Sequence, residues 1–150
     1  MSWDKFFRTL ATEVSKKSKD RSTKVGVVIV SDDHSVLDVG FNGFPRGVND
    51  HNEDYHQRPM KYMVTEHAER NAIYNCARNG KSTKGATLYL NTKGFPCADC
   101  ARAIIQAGIK EVVTNEGDFE GASPQWVESC NMGLTMLKEA GVNVRYYTGV

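Results

Sequence analysis

Apolar residues recur at Trp3, Phe6, Phe7, Leu10, Ala11 and Val14, and this i, i+3, i+4, i+7, i+8, i+11 spacing draws one stripe along a 3.6-residue helix. Ser2 stands in the N-cap position. The stripe, aromatic residues included, is expected to face a core rather than a cofactor. A polar run over residues 15–24 ends the helix, and residues 25–30 are then apolar without alternation, the pattern of a strand buried on both faces. Asp32, Asp33 and His34 make a turn and residues 36–41 a second strand, so the two pair as an antiparallel hairpin.

Beyond the hairpin the periodicity breaks. Residues 40–47 read GFNGFPRG, where three glycines, a proline and an Asn-Gly pair force irregular backbone and expose peptide groups. A polar segment over residues 49–59 prolongs the loop, at a length typical of lids and binding loops. Four-residue steps at Ala68, Ala72 and Cys76 restore a helix from His67, with Gly80 as its stop. Residues 86–90 form a strand, and a helix runs from Cys97 through Ala101, Ile104 and Ala107 to Gly108. A strand at 111–114 follows. Ser123 and Pro124 then start a helix that passes Val127, Leu134 and Leu137 to Gly141, before a last strand at 142–147. The order α-β-β-α-β-α-β-α-β predicts an α/β fold, a three-layer α/β/α sandwich around a mixed five-stranded sheet.

Composition bounds this picture. With 150 residues, 40% of them hydrophobic, the chain builds one core, and residues 1–150 are expected to form a single domain. Lys and Arg number 19 against 18 Asp and Glu, a net +1 that lacks the basic excess of a polynucleotide-binding domain. Asp4, Lys5, Arg8 and Glu13 interrupt the opening residues, so these do not read as a secretory signal. The strongly apolar run at 25–30 is far below the ~20 residues of a membrane-spanning helix. A soluble protein of the cytoplasm, or of a host cytoplasm if the source is viral, is the expectation. In that reducing setting cysteines serve metals, catalysis or packing. Cys97 and Cys100 form a C-x-x-C pair, whereas Cys76 and Cys130 stand apart as expected core thiols.

Chemistry concentrates in two short runs thirty residues apart, His67-Ala68-Glu69 and Pro96-Cys97-Ala98-Asp99-Cys100, each at an inferred helix start. Cys97 and Cys100 are one turn apart on one face, and a helix N-terminus favours thiolates. With His67 they make a His/Cys/Cys set that suits Zn²⁺ and leaves a fourth position open, as in catalytic sites. Residues two apart point about 200° from each other in mid-helix, so His67 and Glu69 serve one site only if the metal sits over the helix end. Glu69 is then a proton carrier beside the metal rather than a ligand.

H-x-E combined with P-C-x-x-C is the signature of zinc deaminases. Read together, HAERNAI (67–73), PCADCARAIIQAGIK (96–110) and GFNGFPRG (40–47) resemble the deoxycytidylate (dCMP) deaminase branch of the cytidine deaminase superfamily, over nearly the whole chain from about Ser15. The glycine-rich loop is the narrower mark of that branch. The resemblance implies a cytidine deaminase-like fold, zinc on His67, Cys97 and Cys100, and Glu69 as proton shuttle. It implies hydrolytic attack at C4 of the cytosine ring to give dUMP, for dTTP synthesis, and ammonia. It further suggests that backbone near Ala68 holds the pyrimidine carbonyl and that Asn42 binds a sugar hydroxyl.

Relatives of this branch are often hexamers activated by dCTP and inhibited by dTTP. By that resemblance an effector triphosphate, with Mg²⁺, would use Gly40, Phe41, Gly43, Pro45, Arg46 and Gly47, and Arg78 matches a position linked to effector control. Arg46, Arg21 and Lys24 are candidate phosphate contacts, with substrate and effector phosphate not distinguished. His51 and His56 are expected in a solvated loop rather than a second zinc site, since no cysteine accompanies them. Rival readings are a polynucleotide deaminase of the tRNA adenosine type, a nucleoside deaminase and a non-catalytic zinc module. Balanced charge weighs against the first and Glu69 against the last.

Overall fold

A computed structural model describes residues 1–117 and 121–148. Ser2 caps the first helix, α1 (Trp3–Ser15), by accepting a hydrogen bond from the Lys5 amide, as its position anticipates. Strands β1 (Gly26–Val30) and β2 (Val36–Phe41) make the antiparallel hairpin. A 3-10 turn (Glu53–His56) and a short helix α2 (Met60–Val64) follow, then α3 (Ala68–Arg78), β3 (Thr87–Lys93), α4 (Ala98–Gln106), β4 (Glu111–Asn115), α5 (Pro124–Glu139) and β5 (Asn143–Tyr147). The sheet order is β2-β1-β3-β4-β5. β1 pairs antiparallel with both β2 and β3, and the β3–β4 and β4–β5 pairs are parallel.

The mixed five-stranded sheet expected from the pattern is therefore present, with helices on both faces. All five residues of β1 are buried, and they divide by parity. Val27 and Ile29 join a core with Ala72 of α3, Ile104 of α4 and Leu137 of α5. Val28 and Val30 meet Phe7 and Ala11 of α1 on the other side. Adjacent strand residues point to opposite faces, so this one strand supports both outer layers.

Two expectations need correction. The aromatic stripe of α1 is only half core: Phe7 is 1% exposed, but Trp3 is 52% and Phe6 44% exposed. Helical spacing sets a face, but here only part of that face is covered by the sheet. Trp3 instead stacks on His34 of the hairpin turn at 4.4 Å. The segment beyond residue 49 is not a continuous irregular loop either, since the 3-10 turn and α2 give it local hydrogen-bonded structure. Asn52 caps that turn by accepting from the Asp54 amide.

Candidate functional site

The two short motifs meet at the N-termini of α3 and α4, which lie side by side on one face of the sheet. His67 is the N-cap of α3 and Cys97 the N-cap of α4. Neither side chain caps its own helix, so both are free to turn to the space between the helix ends. His67 Nδ1 lies 3.2 Å from Cys100 Sγ and 3.5 Å from Cys97 Sγ. A tetrahedral zinc with nitrogen at about 2.0 Å and sulfur at about 2.3 Å holds such atoms roughly 3.5 Å from each other, so the donor set fits that ion in type and spacing. Among the described residues this is the one group of three or more candidate ligands within such reach.

Electrostatics agree with a cation between these groups. Hydrogen bonding from the Cys100 thiol, then from His67, takes Cys97 down to about 4 against the opposing effect of burial. Cys100 moves the other way, because a second thiolate beside Cys97 in a buried site is unfavourable. A divalent cation removes that conflict by holding both sulfurs as thiolates. Glu69 lies in the first turn of α3 and is 7% exposed. Burial is the main cause that raises its pKa, with the nearby His67 charge opposing it.

Around this cluster stand residues that the sequence pattern did not mark. The edge of Trp126, from the first turn of α5, meets the His67 ring with centroids 5.9 Å apart. Ser129 Oγ accepts the Ala98 amide at 3.0 Å, satisfying one of the free donors at the start of α4. A Cβ on Gly133 would lie 2.4 Å from the Pro96 carbonyl oxygen, so glycine lets α5 seat against the cysteine turn. The Ser123-Pro124 helix start was the available signal for all three, since it sets the phase of α5. Cys130 is buried among Cys97 and Cys100, and Cys76 within the main core. Burial pushes their thiols up to about 12 and about 11, so both are neutral there.

The glycine-rich loop divides. Gly40 is buried on β2 and a Cβ there would sit 2.4 Å from the Ala72 nitrogen and 2.6 Å from the Ala68 oxygen, so it admits α3 to the sheet. Phe41, Asn42, Gly43, Pro45, Arg46 and Gly47 line a cavity of about 560 Å³. Gly43 and Glu66 exchange backbone hydrogen bonds of 3.1 and 2.8 Å, which tie the loop to the residue before His67. Asn42 is buried; its side chain accepts from the Val25 amide and donates to the Thr23 carbonyl, leaving one N–H and one lone pair free for a ligand.

Ion pairs join the segment before β1 to the segment after residue 49 beside this cavity. Lys19 pairs with Asp50 at 2.6 Å, Arg21 grips Glu53 with two contacts of 2.9 Å, and Lys61 pairs with Asp20 at 3.1 Å. Lys24 turns inward to the Ser18 carbonyl and is not among the cavity's lining residues. Ala68 is fully buried at the first position of α3. Arg78 is exposed in the last turn of α3, at the far end of that helix from His67. Arg46 reaches the same helix, donating to Asn75 at 2.7 Å. His51 is solvent-exposed beside Asp50, and His56, at the end of the 3-10 turn, bonds the Asp50 carbonyl at 2.7 Å.

A family model described as the cytidine and deoxycytidylate deaminase zinc-binding region matches residues 1–116. An uncharacterized deaminase of Aliivibrio fischeri is 39% identical over 144 residues, covering 96% of this chain and 92% of its own length. The human deoxycytidylate deaminase is 36% identical over 152 residues, 98% of this chain and 80% of the relative. The dCMP deaminase of cyanophage S-TIM5, solved in complex with dCMP and dUMP, superposes with a TM-score of 0.74 at 29% identity over 95% of both chains. Similarity in sequence and in fold thus spans the helix ends that gather the two motifs, and this chain belongs to the cytidine and deoxycytidylate deaminase family.

Proposed function

We propose that this chain hydrolyses dCMP to dUMP and ammonia at a zinc held by His67, Cys97 and Cys100, and that residues 1–150 act as one catalytic domain. The observation that carries the reading is a buried carboxylate, Glu69, in the first turn of α3, whose N-cap His67 is one member of the three-ligand cluster. A structural zinc site has no use for such a group. When bound, zinc supplies a water acidic enough to attack at neutral pH. Glu69 takes up the proton that this water loses and passes protons to ring N3 and to the departing amine. One water is consumed and one ammonia leaves, so atoms and charge balance.

Ala68, with the unpaired amides of the first turn of α3, holds the pyrimidine carbonyl. Asn42 takes a sugar hydroxyl with its remaining hydrogen-bonding capacity. Five cations, Lys17, Lys19, Arg21, Arg46 and Lys61, against the two carboxylates Asp20 and Asp50 line the adjoining cavity, which suits a phosphorylated ligand. The finer parts of the reading are activation by dCTP and inhibition by dTTP, each with Mg²⁺ on its triphosphate, through residues 40–47 and Arg78. Contact of Arg46 with Asn75, three residues from Arg78 and on the same helix face, brings the loop and that arginine over one stretch of α3. A cytoplasmic homohexamer completes the proposal.

The test is ammonia release from dCMP, CMP, deoxycytidine and an RNA hairpin, each with and without dCTP or dTTP. The expected result is turnover of dCMP above the other three, raised by dCTP and lowered by dTTP. Turnover of the hairpin alone would overturn the substrate assignment, and dCMP turnover indifferent to both triphosphates would remove the regulation.

A further inference from the structure

Among the described residues, Thr65 Oγ1 is the one buried side-chain nitrogen or oxygen without a hydrogen-bond partner. Buried hydroxyls are otherwise nearly always paired, because an unpaired one forfeits its water contacts for nothing. Thr65 follows α2, with its amide bonded to the Lys61 carbonyl at 3.0 Å. It lines the cavity together with Asn42 and Gly43. Two residues later the chain reaches His67, and the bonds between Gly43 and Glu66 hold this stretch in place. The backbone is therefore fixed while the hydroxyl is left unpaired.

The cavity has a polarity gradient that tells which part of a nucleotide this hydroxyl meets. Lys17, Lys19, Arg21 and Arg46 are exposed, so a phosphate gains most at that rim, where it keeps part of its hydration. The inner wall carries neutral groups, Asn42 and Thr65, and a half-buried lysine, Lys61, already paired with Asp20. A neutral hydroxyl loses far less than a phosphate on entering such a place. Thr65 offers both a donor and an acceptor, the complement of an alcohol.

We infer that the Thr65 hydroxyl pairs with the 3′-hydroxyl of the bound nucleotide's sugar and sets preference for nucleotides that carry it. The inference rests on the reading that dCMP occupies this cavity. Its test compares zinc-loaded wild type, Thr65→Val and Thr65→Ser on dCMP and on 2′,3′-dideoxycytidine monophosphate. Thr65→Val is expected to raise KM for dCMP about tenfold, to leave kcat within about threefold, and to leave KM for the dideoxy compound at its wild-type value. Thr65→Ser should behave as wild type. The thermal midpoint of ligand-free Thr65→Val should equal or exceed wild type, since it no longer buries an unpaired hydroxyl.

An unchanged KM for dCMP, or an equal rise for both substrates, would overturn the inference, as would a lowered midpoint accompanying the kinetic loss. In each case wild-type turnover of dCMP would leave the proposed function standing. Failure of the zinc-loaded wild type to turn over dCMP would instead remove that function and the inference together.

Discussion

The metal-ligand turn and the cavity beside it are built on opposite plans. At the turn, four chemistry-bearing residues sit on two helix starts, nearly buried and fixed by short-range backbone geometry. At the cavity, segments far apart in sequence are drawn together by side-chain ion pairs, most of them solvent-exposed. Exposed pairs of that kind contribute little and are screened by salt. The proposed chemistry thus rests on local helix geometry, and the proposed ligand cavity lies between segments joined in part by weak surface pairs.

The sharpest break of this comparison is His67→Ala. It should abolish both zinc binding, read as metal per chain, and turnover, while Arg21→Gln should leave zinc stoichiometry unchanged and raise KM for dCMP. Loss of zinc in the Arg21 variant would mean that the two regions are not separable.

Gly40 and Gly43 probe the boundary inside one loop. Gly40→Ala places a Cβ against the backbone of α3 and should cost about 1–3 kcal/mol of stability in chemical denaturation, as overpacking does. Gly43→Ala meets nothing within 4 Å and should stay within about 0.5 kcal/mol of wild type. Equal effects at both positions would show that the loop, not the helix approach, sets the requirement.

The smallest effect lies on the far side of the sheet. Asp4 accepts from Arg145 at 2.6 and 2.9 Å and from Tyr89 at 2.7 Å. Hydrogen bonding to Arg145 holds its carboxyl below the ordinary 3.8, although burial opposes this. A carboxylate with a lowered folded pKa stabilises the fold fully above its unfolded value and loses that contribution as pH falls through the folded one. Stability measured from pH 6 down to pH 2 should therefore fall less steeply below about pH 4 in Asp4→Asn than in wild type. Zinc binding at pH 7 should be equal in the two proteins.

The same contrast explains what was legible in the sequence. Residues 67–69 and 96–100 carry their geometry in local spacing, so the helix starts and the His/Cys/Cys set could be read directly. The parity of β1 and the order of the strands and the four longer helices were legible for the same reason, but the 3-10 turn and α2 were not. Tertiary facts were not. That Trp3 is half exposed and stacks on His34, that Trp126 meets His67, and that Arg21 grips Glu53 across 32 residues depend on how elements dock. Gly40 was expected at a phosphate loop, yet a close approach to α3 also requires a glycine there, and sequence cannot distinguish the two demands.

The central claim is that Glu69 moves protons beside the metal without holding it. Glu69→Gln, measured for zinc per chain and for ammonia release from dCMP, should retain one zinc and lose turnover by about 10³-fold, within the span of general acid–base catalysis. Near-normal turnover with zinc in place would contradict the account.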